Sequence, residues 1–418
     1  MLMMTNYQTN KLYDVAVVGA GPSGNYAAMT MAESGLDVVV FDQRDKIGDK
    51  LCTGIVGEEC LSLFPADPDI IKGKISSINL FSPKGGSHRI EEDIVSAWIL
   101  DRRAYVENMA FKAKHLGARY LIGERVERVN IGDECVTLKT SKGICLRSRA
   151  ILVSSGFGTN ILTQVGLKKY SVKKFLQASQ TMVEFCSSYE DRTDIKVFIE
   201  GESHPGAFTW LVPTNNHYGL LGSVYRAGDE NPMSRYKSKI ETRKLNITKI
   251  GKTENWGVPI EPIPKTFGCR VLVSGDAAGF TKPTTGGGIF YSMLSGGLAA
   301  ETMIKAFALN DFSSEIFGLY QGKWKKKFGK ELLVGMVARN LLESLNDEIL
   351  DSLINKFAVN IQTDLLRYGN ISFDWHSTSI FQILKNRDVL ELIGTIGPKA
   401  PMLVANILAA KAKNLVNL

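Results

Sequence analysis

The sequence predicts an α/β protein built around a parallel nucleotide-binding sheet, and three observations predict it. A β-branched run, Asp14–Val18, leads directly into Gly19-Ala-Gly21-Pro-Ser-Gly24 and then a helical stretch. A second apolar strand near Val271 leads into another glycine-rich segment ending at Ile289. Between them lie alternating apolar stretches such as Lys196–Glu200, and from Ala306 onward the pattern turns helical.

Each element has a physical reason. Gly19 makes the tight turn, Gly21 lets backbone amides approach a pyrophosphate, and Gly24 lets the helix pack on the strand. Free N–H groups at that helix start and its dipole favour phosphate. The next strand, Asp37–Phe41, is followed by Asp42, 23 positions after Gly19, where a carboxylate can accept ribose hydroxyls. This unit alone does not separate FAD from NAD. The later Gly275-Asp276-Ala-Ala-Gly279 and Pro283-Thr-Thr-Gly286-Gly287-Gly288-Ile289 do. An acidic side chain at a strand end can bind a ribityl chain, and a glycine-rich helix start can offer amides to a flavin's pyrimidine edge. FAD is therefore the expected cofactor.

Composition bounds the rest. With 418 residues, 44% hydrophobic and 22% charged, the chain is globular and large enough for two or three lobes. A net charge of +7 is too small to indicate nucleic-acid binding. Six scattered cysteines form no CxxC pair, which points to a reducing cytoplasm, with no disulfide framework and no metal site expected. The first 12 residues lack signal-peptide character, and no apolar run is long enough to span a bilayer.

With these motifs the chain resembles the geranylgeranyl reductase family, within the flavoprotein group typified by para-hydroxybenzoate hydroxylase. General flavin parts are the two glycine motifs and Asp101-Arg102 with Tyr105. Two segments are more selective. Lys50-Leu-Cys52-Thr53-Gly54 resembles the family's lysine-x-cysteine-glycine segment, with Thr53 in place of a glycine. Pro205-Gly-Ala-Phe208-Thr-Trp210-Leu-Val212-Pro213 resembles its PxxYxWxFP motif, with Phe208 for tyrosine and Val212 for phenylalanine. The Phe208 departure removes a hydroxyl but keeps an aromatic wall. The resemblance implies FAD contacts at Ser23, Asp42, Cys52, Thr53, Gly54, Arg102, Val126, Asp276, Gly288 and Ile289. Arg102 would reach the pyrophosphate or nearby backbone.

The resemblance also implies a Rossmann-like FAD-binding domain interleaved with an antiparallel-sheet substrate domain, plus a C-terminal helical region. The expected boundaries are 12–75, 100–160 and 266–305 for the first, 76–99 and 161–265 for the second, and 306–418 for the third. Breaks in the helical region are expected near Asn310-Asp311 and Tyr368-Gly-Asn370. Lys323-Trp-Lys-Lys-Lys-Phe-Gly-Lys330 reads either as a solvated helix face or as a peripheral contact with anionic lipid on the inner face of the cell membrane.

The leading activity is reduction of C=C bonds in a geranylgeranyl or similar isoprenoid lipid, with hydride from reduced FAD. Pro205, Phe208, Trp210 and Pro213 would wall a dry pocket for the alkene. Cys52 is either a proton relay or a thiol packed on the cofactor, and Cys60 is close enough in sequence to pair with it. His204 and His217 are isolated and read as surface or packing residues. The reductant stays open between NADPH, ferredoxin and another electron donor. The competing activity is an aromatic monooxygenase or halogenase, since Phe208–Pro213 also resembles a halogenase tryptophan motif; coupled O2 consumption separates the two. A non-enzymatic electron-transfer protein is the third reading.

Overall fold

The computed structural model describes residues 11–50, 52–91, 95–168, 175–185, 193–233, 247–249, 251–356, 371–384, 390, 391, 394, 402 and 405. Its first sheet has eight strands, and the glycine motif lies at its centre. Leu12–Val18 pairs in parallel with Cys145–Val153 on one side and Val38–Asp42 on the other. Val271–Val273 and Arg119–Ile122 extend the parallel array outward. Val15, Val17, Val38 and Val40 are fully buried. A strand covered on both faces is apolar throughout, not alternating, which is why the central strands read as unbroken valine runs.

The covering helices explain the small residues in their sequences. Pro22–Glu33 starts with proline in its first turn, where the missing N–H costs nothing. Its neighbour Ile289–Leu309 crosses so closely that a Cβ on Gly296 would strike the Ser23 backbone. Arg102–His115 is capped by Asp101, whose carboxylate accepts Ala104 N–H at 3.0 Å.

The second sheet is mostly antiparallel. Phe175–Phe185 pairs with Tyr218–Arg226, which pairs with Phe208–Pro213, followed by Asp194–Ile199. Ser77–Phe81 joins in parallel and Ser87–Glu91 closes that edge. Glu254–Pro259 lies on the other side of Phe175–Phe185. Its two faces differ in use. Val183, Phe185, Phe198, Leu211 and Leu221 form one apolar cluster. Leu176, Ala178, Val224, Val258 and Ile260 form another, with Phe208, Trp210 and Trp256 packed against it.

Two departures from the sequence expectations concern strand partners. Val95–Leu100 does not join the large antiparallel sheet; it pairs with Ile55–Gly57 and Ile71–Lys74 in a small third sheet, a choice of partner that strand propensity does not encode. Ile371–Ser372 adds a two-residue strand to that sheet within the region expected to be helical. The lysine-rich segment is continuous helix from Ser314 to Leu342 with a π turn at Lys325–Gly329, and its aromatics face inward. Trp324 and Phe328 are buried and pack on Phe280, at 4.8 and 5.1 Å between ring centroids. Only lysines such as Lys325, Lys326 and Lys327 remain outside.

The break expected at Asn310-Asp311 falls where the 289–309 helix ends, with Asn310 in the left-handed region at φ 51°. The break at Tyr368–Asn370 and nearly all of the apolar tail lie outside the described residues. Among the described residues no helix is long and apolar enough to cross a membrane.

Candidate functional site

The carboxyl ends of the parallel strands open onto a cavity of about 600 Å3. Of the residues singled out from sequence, Gly19, Gly21, Ser23, Asp42, Arg102, Val126 and Asp276 line it. This is the crevice position that open α/β sheets use for nucleotides. Gly19 has φ 111°, and a Cβ there would strike the Ser154 carbonyl; Gly24 lies just as close to the Gly19 carbonyl. Nothing lies within 4 Å of where a Gly21 Cβ would point. The cradle is thus tight against protein on two sides and open where Gly21 faces the cavity.

Asp42 Oδ2 accepts Ala20 N–H at 2.8 Å and Oδ1 accepts Arg44 N–H at 2.8 Å. Each oxygen keeps a lone pair, so the carboxylate is held in place and can still receive a hydroxyl. Ser23 donates to Ser274 at 2.7 Å, and Ser274 bonds Ser154 at 2.7 Å, which ties the first glycine motif to the second across the sheet. Arg102 uses Nη1 on backbone, donating to the carbonyls of Gly48 at 2.8 Å and Lys50 at 3.0 Å. It therefore shapes the loop that carries Lys50–Gly54.

Several lining residues gave no signal in the sequence. Ser155 Oγ and Glu124 Oε2 are buried in this lining without a hydrogen-bond partner. Lone buried polar atoms on a cavity wall fit a polyhydroxylated ligand such as FAD, together with a glycine cradle that a side chain would fill. Lys50 is the other omission. Its Nζ lies 3.2 Å from Asp276 Oδ2 and 6.0 Å from the Trp256 ring, joining the cavity to the aromatic sheet face. The lysine-x-cysteine segment points at this stretch without marking the lysine.

The remaining predicted residues lie beyond the cavity lining. A Cβ on Gly288 would come within 2.9 Å of Asp276 Oδ1, and one on Gly286 within 3.1 Å of Val258 Cγ1. Gly54, at φ 70°, packs against the Leu100 carbonyl and Arg102. Gly287 and Ile289 continue the same turn into the helix. Cys52 and Thr53 are half-buried. Cys52 and Cys60 are both free thiols, and burial pushes the Cys60 thiol up, so it stays protonated. On the antiparallel sheet, the Trp210 ring lies over Gly222 and donates through Nε1 to Gln180 Oε1 at 3.1 Å. Phe208 sits 5.8 Å from it, centroid to centroid. Pro213 is buried at the end of that strand, and Pro205 is half-buried in the turn before it. His204 is buried beside Ser203, and His217 is exposed. Among the described residues no cluster of metal-ligating side chains occurs.

A titratable group sits behind the glycine loop. His376 Nδ1 is 2.6 Å from Thr284 Oγ1, and Nε2 is 3.1 Å from the Phe373 carbonyl. The Phe373 carbonyl can only accept, so Nε2 carries a hydrogen, and in the neutral ring Nδ1 accepts from the Thr284 hydroxyl. Burial first, and the Lys282 ammonium second, hold this imidazole down to about 3 against an ordinary 6.5. The unfolded chain therefore binds a proton that the folded chain refuses as pH falls below 6.5. Stability should be flat in this group above pH 6.5 and drop by up to about 1.4 kcal/mol per pH unit below it. Urea unfolding of wild type and His376→Gln between pH 7.5 and 4.5 checks this, because the variant should lack that part of the slope.

A family model for pyridine nucleotide-disulphide oxidoreductases matches residues 13–190. A digeranylgeranylglycerophospholipid reductase of Methanocaldococcus jannaschii is 28% identical over 83% of this chain and 90% of its own. One from Methanococcoides burtonii is 29% identical over 82% and 86%. Among solved structures, a geranylgeranyl bacteriochlorophyll reductase-like protein of Thermoplasma acidophilum superposes with a TM-score of 0.80 at 20% identity, covering 93% of this chain and all of the other. A flavin-dependent brominase superposes with a TM-score of 0.70 at 15% identity, over 97% of this chain and all of its own, so it shares the fold. The cofactor of the present protein is FAD: the pyridine nucleotide-disulphide oxidoreductase match and an FAD-bound neighbour of the same fold agree with the glycine-cradled cavity. By sequence the chain is similar to digeranylgeranylglycerophospholipid reductases along most of its length, and by fold it is similar to a geranylgeranyl reductase-like protein.

Proposed function

We propose that this protein is an FAD-dependent reductase that saturates C=C bonds in geranylgeranyl chains of a membrane-lipid precursor. One observation carries the reading: the glycine loop of the flavin site abuts the apolar, aromatic face of the antiparallel sheet. Gly286 meets Val258, and Val258 packs in the cluster that Phe208, Trp210 and Trp256 cover. A polar or charged aromatic substrate would want hydrogen-bonding groups on that wall; a prenyl chain wants hydrocarbon. When bound and reduced, FAD supplies the hydride for one alkene carbon.

The chain's own residues do the rest. Gly19, Gly21, Ser23, Asp42, Arg102 and Val126 hold the dinucleotide end, with Gly24 acting through its packing on Gly19 and Arg102 through the 48–50 backbone. Cys52, Thr53, Gly54, Asp276 and Gly286–Ile289 frame the reacting end. Pro205, Phe208, Trp210 and Pro213 shape the wall that excludes water. Cys52 Sγ is assigned the proton for the second alkene carbon, supported by its half-buried position and its freedom from any disulfide. The substrate sheet and the parallel-sheet domain thus divide binding of lipid and cofactor, while an electron donor restores the flavin. The exposed Lys325, Lys326 and Lys327 are assigned to anionic headgroups at the membrane surface, without help from Trp324 or Phe328.

Anaerobic mixing of dithionite-reduced protein with a geranylgeranyl lipid tests the reading. Flavin absorbance should return as the product gains two hydrogens per double bond. Cys52→Ala and Trp210→Ala should each slow that reoxidation by roughly 10²-fold, the scale of a lost proton transfer or misplaced substrate. Flavin that stays reduced until air enters, with an oxygenated or halogenated product, would overturn it.

A further inference from the structure

A buried lattice of charge joins three segments that no motif connects. Asp374 is 1% exposed, and its carboxylate accepts Gly57 N–H at 3.0 Å and Cys60 N–H at 2.8 Å. A Cβ on Gly57 would collide with that carboxylate, so the contact depends on glycine there. On its other side, Lys282 Nζ lies 3.7 Å from Asp374 Oδ1 and donates to the Phe373 carbonyl, above the Phe373 ring. The backbone of Lys282 closes the glycine loop: its N–H donates to Gly287 O at 2.9 Å, and its carbonyl accepts Gly286 N–H at 2.7 Å. Thr284, inside that loop, adds the hydrogen bond to His376.

Such an ion pair is a poor source of stability, since dehydrating both charges offsets most of their attraction. What it does impose is geometry. Removing either partner leaves the other charged and buried, so the two segments stay where the pair puts them. One of those segments follows Cys52–Gly54 along the chain, and the other contains Gly286–Gly288.

We propose that Lys282 and Asp374 are positioning residues for the flavin: through their buried contact they fix the glycine loop against the segment that follows Cys52–Gly54. The inference rests on FAD occupying the site between those segments. Neither residue need touch the cofactor.

The test measures FAD dissociation constant, visible spectrum and midpoint potential for wild type, Lys282→Met, Asp374→Asn and the double variant, with melting of each apoprotein alongside. Each single change should weaken FAD about tenfold and shift the potential, and the double variant should lose less than the sum. Thr284→Val strands no charge and should still shift the spectrum and weaken FAD about threefold, which keeps the test usable if a charge variant does not fold. Unchanged affinity, spectrum and potential in the variants, with only melting altered, would show the lattice to be structural and overturn the inference. Wild-type protein that takes up no FAD would overturn the FAD reading itself, and with it this inference.

Discussion

Gly24→Val should yield protein that purifies without flavin. Gly24 sits where the first helix meets its strand, and any Cβ there strikes the Gly19 carbonyl and crowds Val17 Cγ1 at 3.2 Å. Two methyl groups more would push the helix off the strand that sets the loop. Overpacking of this kind costs about 1–3 kcal/mol. Because the strain falls on the loop that must cradle a pyrophosphate, FAD affinity should fall by roughly 10- to 100-fold. Gly21→Ala separates the two effects. Gly21 is extended at φ −80°, and nothing lies near its added methyl, so apoprotein melting should stay close to wild type. Its methyl would enter the cavity, so any loss of FAD affinity there reports close approach of the ligand. Melting of apoprotein and fluorescence titration with FAD read both variants. Normal flavin content in Gly24→Val would refute the packing account.

The same contrast shows what the sequence could reveal. Glycines and a closing acid at fixed offsets have few explanations besides a strand–loop–helix that meets phosphate, so Gly19, Gly24 and Asp42 were legible. Trp324 and Phe328 were legible too, in a way the lysine count obscured: four residues apart, they share one helix face, and that face is the core. Lys282 and Asp374 carried no such signal. They are 92 residues apart, and a lysine beside a glycine loop looks like surface. The strand Ile371–Ser372 that delivers Asp374 is too short to show a period of two. Local pattern reveals local constraints, whereas the cluster behind the loop is made by tertiary contact alone.

Arg339 is a second buried charge of that type, and disturbing it should have the largest effect on stability. The Lys330–Leu342 helix sets Gly335 against Pro283 and places Arg339, 1% exposed, one turn later. Its Nη2 donates to Gly206 O at 3.1 Å and its Nη1 to Pro283 O at 3.4 Å. Nε lies 2.8 Å from Glu343 Oε1 but out of line for a hydrogen bond, so that contact is Coulombic. Glu343 also holds Arg226 at 2.8 Å. One guanidinium thus joins the glycine loop to the turn that begins the aromatic wall. Glu343→Leu removes its counter-charge and leaves the guanidinium buried, which should cost roughly 3–5 kcal/mol. Arg339→Met/Glu343→Leu removes both charges and should recover part of that loss, because two apolar side chains need no compensation. Urea unfolding of the single and double variants decides the matter. A double variant less stable than Glu343→Leu would mean that the bonds to Gly206 and Pro283, more than the buried charge, set the energy there, and Arg339 would then act chiefly as a hydrogen-bonding bridge between wall and loop.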